Sequence, residues 1–181
     1  MIIAKQKRKE NIVEYLLYVW HVEDLLRACR FDMDEVEKNI LVSYYQQPDN
    51  VMQEIRQWYQ ELIDMAHSEG VLEKGHLQIN DNIVMELNEL HQQLLHASHE
   101  TLYGSIYYKA IPAIVQLRSK AADIPKSEIE TCLTAVYGHF LLRLQTKEIS
   151  AETTESVKNI SRLLAYLAAK YHETQTPSIL P

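Results

Sequence analysis

The sequence predicts an all-α fold: a single-domain bundle of six or seven helices with the N-terminal helix at its centre. Three observations carry that expectation. Glycine occurs only 4 times and proline 5 times in 181 residues, too seldom for the closely spaced turns of a sandwich or barrel. Apolar residues recur three and four positions apart along most of the chain, the period of a helix buried on one face. No stretch alternates apolar and polar residues in the way a half-buried strand requires. The apolar share of 46% and the charged share of 24% are those of an ordinary globular chain. A domain of this length can bury roughly 70% of the surface that its unfolded chain exposes.

The first helix is expected over about 6–29. Its stretch "NIVEYLLYVWHVEDLLRAC" is apolar almost all round, the pattern of a helix wrapped by others. Between Ile12 and Val22 only Glu14 and His21 are plainly polar. At 100° per residue Glu14, Tyr18, His21 and Asp24 fall along one narrow line. Burying that line without partners would cost kilocalories, so it faces solvent, a lined cavity or a helix that supplies donors and acceptors. These four residues are the candidate polar pocket.

After a corner at Arg30-Phe31, Asp32 and Glu35 form an Asx-x-x-Glu capping pattern that opens a second helix, carrying Val36, Ile40 and Leu41 inward. Gln47-Pro48 interrupts it. Asp49 or Asn50 then caps a third helix with Val51, Ile55, Trp58, Leu62 and Met65 at helical spacing, ended by Gly70 or Gly75. Asn80 or Asp81 opens a fourth helix, with Val84, Leu87, Leu90 or His91, and Leu94 on one side and an end near Gly104. Helix is expected on both sides of Pro112. Ser127 and Glu130 make a capping box before the stripe Ile129, Leu133, Val136, Phe140 and Leu144. Ser150 caps the last helix, about 151–171, whose Val157, Ile160, Leu164 and Leu167 turn inward. Residues 1–172 make the domain, and 173–181 are read as a flexible tail.

Charge and motif content exclude several functions. A net charge of -7 disfavours a broad polyphosphate partner, so no nucleic acid is expected. The run "KQKRK" reads as a solvated helix start. Neither a signal peptide nor a membrane span is expected at the N-terminus. Cys29 and Cys132 lie alone in apolar stretches, which fits a reducing, cytoplasmic setting. There is no Gly-rich phosphate loop, G-x-S-x-G, H-E-x-x-H or C-x-x-C. His96 and His99 share a helix face, but His91 lies about 140° from His96, and no Glu-x-x-His occurs. No metal and no cofactor is expected.

Tyrosine outnumbers phenylalanine 11 to 2. An apolar ring with a polar tip suits interfaces and pocket walls. The segment "LYGSIYYKAIP" makes Tyr103, Tyr107, Tyr108 and Pro112 the candidate interaction surface. The leading expectation is therefore a non-enzymatic interaction module, meeting a second copy or another protein. The alternative is a small-molecule- or metal-binding bundle with a polar pocket lined by the first helix.

The segment "TCLTAVYGHFLLRLQTKEISAETTESVKNISRLLAYLAAKY", notably Tyr137-Gly138 and "KEIS", resembles a family of all-helical bacterial proteins of about this length, mainly from Bacteroidetes. That family is a domain of unknown function. The resemblance extends over nearly the whole chain and implies a helical, cytoplasmic bacterial protein, with no catalytic residues to carry over.

Overall fold

The computed structural model describes residues 2–120 and 127–175. The described residues form eight α-helices: α1 Ile2–Glu10, α2 Ile12–Ala28, α3 Met33–Asn39, α4 Asp49–Glu69, α5 Gln78–His96, α6 Thr101–Lys120, α7 Glu128–Leu144 and α8 Ala151–Gln175. A 3-10 turn, Leu41–Tyr44, follows α3. No strand occurs among the described residues. The all-α expectation holds, but the helix count exceeds six or seven. The extra helix arises at Asn11, whose side-chain Oδ1 accepts from the Val13 N–H at 3.0 Å. That bond satisfies a free donor at the start of α2 and splits the long first helix in two.

The chain divides into two compact units: the chain up to Lys9 with Glu14–Asn82, and Glu10–Val13 with the chain from Ile83 onward. In the first unit, Asp32 accepts from the Glu35 N–H at 3.0 Å and opens α3, as the capping pattern predicts. Arg30 and Phe31 both take left-handed backbone conformations, φ 55° and 53°, to turn the chain out of α2. Each such residue costs about 1–2 kcal/mol. Burial of the Phe31 ring offsets part of that cost. The unit's core joins Val22, Leu26, Val36, Leu41, Tyr59 and Leu77. Gly70, at φ 71°, ends α4 in the conformation that favours glycine. The N-cap of α4 is Pro48 rather than Asp49 or Asn50; Asp49 is the first helical residue, where its charge meets the positive end of the helix dipole.

In the second unit α6, α7 and α8 pack against one another. The side chain of Ser127 accepts from the Glu130 N–H at 3.1 Å, and Ser150 from the Thr153 N–H at 3.1 Å, so both predicted caps form. Leu133, Ile160, Leu163 and Leu167 are fully buried. Of the stripe expected on α7, Ile129 and Leu133 are buried, but Val136, Phe140 and Leu144 are half-buried or exposed, and Cys132 and Tyr137 are buried in their place. Helix α5 ends at His96, so Gly104 lies in α6, which continues through Pro112. The last helix runs on to Gln175, past the expected end at 171, and the remainder of the expected tail, 176–181, lies outside the described residues.

Candidate functional site

The line expected on α2 is made of separate partnerships. Glu14 is exposed and bridges the Lys7 ammonium at 3.2 Å. Asp24 accepts from Arg27 at 2.9 Å, and Arg27 also donates to the backbone carbonyls of Val71 and Gly75. Tyr18 is half-buried, and burial, helped by nearby Tyr44, pushes its hydroxyl up to about 12. His21 is half-buried.

The buried carboxylate of this helix is Glu23, one residue off the line and 3% exposed. One of its oxygens accepts from the Leu77 N–H at 3.2 Å and the Asn80 amide at 2.7 Å; the other meets His76 Nδ1 at 2.6 Å. The His76 ring stacks on Trp20, with centroids 4.1 Å apart and planes 8° from parallel. Three donors converging on one carboxylate meet its desolvation and fix the chain before α5 onto α2. Asn80 is thus in the first turn of a helix that begins at Gln78, and its side chain serves Glu23 rather than a cap. No sequence spacing marks this site, because Glu23 and its partners are 53 to 57 positions apart.

A second polar cluster joins α5, α6 and α7. His91 is fully buried, its Nδ1 2.5 Å from the Tyr103 hydroxyl and its Nε2 3.4 Å from Glu128 Oε2. Tyr107 donates to the same Glu128 oxygen at 2.7 Å. A carboxylate only accepts, so Nε2 carries the ring proton and Nδ1 accepts from Tyr103. Burial lowers the His91 value below the ordinary histidine range, against the opposing pull of Glu128, and keeps the ring neutral. Cys132 is buried, and burial pushes its thiol up to about 12, far from the thiolate that a nucleophile or soft-metal ligand needs. Among the described residues no group of three or more His, Cys, Asp and Glu side chains is placed to hold a metal ion.

The four residues of the expected interaction surface do not share one environment. Tyr103 is fully buried and Tyr107 is half-buried in the His91 cluster, whereas Tyr108 is 77% exposed and Pro112 is exposed. Their separation follows from the helical turn: 103 and 107 lie on the inner side of α6, 108 and 112 on the outer. Among the described residues, open grooves flank α7. One, of about 530 Å³, has Ala113, Ala135, Gly138 and Ile160 among its lining residues, with Glu152 the one carboxylate among those described. Another, of about 710 Å³, is lined by α7 and α8.

No described helix is long and apolar enough to cross a membrane. No curated protein and no solved structure matches the chain. A family model described as a domain of unknown function, DUF4924, matches residues 1–177, and the chain belongs to that family.

Proposed function

We propose that this chain is a non-enzymatic interaction module that pairs with a second copy of itself through the solvent face of α6. One observation carries the reading: among the described side chains of α6, the exposed ones are Thr101, Leu102, Ser105, Tyr108, Lys109, Pro112, Val115, Gln116, Leu117 and Ser119, and of these only Lys109 bears a charge. The solvent face of a surface helix is normally charged and polar. Within it, Thr101, Ser105, Tyr108, Pro112, Val115 and Ser119 recur at alternating intervals of four and three, the seam spacing of two packed helices. An uncharged seam of small and apolar groups is compatible with itself, as a two-fold contact requires. Tyr108 at 77% and Val115 at 61% exposure are the anchors such a contact would bury.

In this reading the α2 line of Glu14, Tyr18, His21 and Asp24 is structural, and α2 is a core helix, supported by the burial of Ile12, Leu16, Val19, Trp20 and Leu26. The proposed setting is a reducing, cytoplasmic one, supported by two free, buried cysteines. The double substitution Tyr108→Glu/Val115→Glu should abolish pairing in light-scattering measurements while leaving the thermal midpoint of the monomer unchanged, because neither side chain is buried in the chain itself. A dimer that survives the double substitution would refute the assignment of the surface.

A further inference from the structure

We infer that the groove between α7 and α8 receives an acidic amphipathic helix from a partner protein. The inference deepens the interaction-module reading and uses a face other than that of α6. The apolar floor comes from Val136, Phe140 and Leu144, four residues apart along α7, with Val157 of α8 opposite. Phe140 is 39% and Leu144 56% exposed, an unusual state for two large apolar side chains one turn apart. Among the described residues that line the groove, the ionisable side chains, His139, Arg143 and Lys158, are all bases, although the whole chain carries a net charge of -7.

Lys158 bridges Glu155 at 3.2 Å, but both groups are more than half exposed. Such a surface pair is worth little and yields readily to a better-placed carboxylate. The floor sets the shape of the occupant. A row at i, i+4 and i+8 is a ridge about 12 Å long, and ridges of this kind interdigitate with those of another helix. The complementary ligand carries apolar residues along one stripe and Asp or Glu on its flanks, the helix-in-groove mode of recognition.

The probe is a fluorescently labelled synthetic helix of about four turns, with leucine on one face and glutamate on the flanks, titrated against the full chain by anisotropy. Its counterpart has lysine at every glutamate. The acidic helix should bind at least about tenfold tighter than the basic one, and more weakly as salt is raised. Arg143→Glu/Lys158→Glu should reverse that order, with the fold checked by circular dichroism. Equal binding of the two helices, no binding of the acidic one, an order that survives the charge reversal, or capture by anionic phosphatidylglycerol vesicles in place of the acidic helix would each overturn the inference. The two surfaces separate cleanly. Tyr108→Glu/Val115→Glu should still bind the acidic helix, and Arg143→Glu/Lys158→Glu should still pair, so failure of one proposal is distinguishable from failure of the other.

Discussion

Replacing Glu23 with alanine should destabilise the protein by about 3–5 kcal/mol, the cost of removing one partner from a buried charged network. The carboxylate is almost wholly removed from water and accepts from His76, the Leu77 N–H and the Asn80 amide. Its loss leaves three donors facing a void, and the Leu77 N–H has no side-chain freedom with which to find water. On a chain of this size the thermal midpoint should fall on the order of 10 °C, measurable by calorimetry. Glu23→Gln should fall between wild type and alanine: its amide oxygen still accepts, but its NH₂ group confronts a donor. Glu14→Ala is the matched control on the same helix. Glu14 is exposed and its bridge to Lys7 lies at the surface, so its removal should shift stability by no more than about 0.5 kcal/mol. A Glu23→Ala protein as stable as the control would show that the network does not hold the start of α5.

The second large effect belongs to His91. His91→Ala should cost about 3 kcal/mol, from the cavity left at a fully buried position and from the stranded Tyr103 hydroxyl. The same residue sets a pH dependence. Burial holds its folded-state value below the ordinary imidazole value of about 6.5, with Glu128 of α7 opposing the shift and the hydroxyls of Tyr103 and Tyr107 on α6 alongside. As pH falls below about 6.5, the unfolded chain therefore takes a proton that the folded chain refuses, and stability declines. The slope from this one group approaches about 1.4 kcal/mol per pH unit until the folded-state value is reached. Urea unfolding at pH 7 and pH 5.5 should show wild type losing more stability than His91→Gln over that interval. Identical losses in the two proteins would mean that His91 takes up its proton as readily in the fold as in the unfolded chain.

The local signals in the sequence were reliable where the physics is local. Asp32, Ser127, Ser150 and Gly70 mark helix ends by bonds or backbone conformations that involve only a few neighbouring residues, and each does what its position predicts. Asn11 carried the same chemistry, yet the apolar run on its C-terminal side read as continuous with the helix before it. Position 80 misled for the opposite reason: a good capping residue was recruited by a carboxylate 57 positions away.

The candidate site divides in the same manner. Tyr108 and Pro112 stand on the surface, as the tyrosine-rich segment suggested, but Tyr103 and Tyr107 turn toward His91 on another helix, which no composition argument locates. Glu23 escaped notice because its three partners come from a distant stretch of chain. Phe140 and Leu144 fit an inward stripe by spacing, and only the three-dimensional packing places them in an open groove.

Self-pairing through α6 is measurable by sedimentation velocity of the untagged wild-type chain from about 1 to 100 µM. The sedimentation coefficient should rise with concentration, from the value of one chain toward that of two. A single boundary at the mass of one chain across the whole range would contradict it.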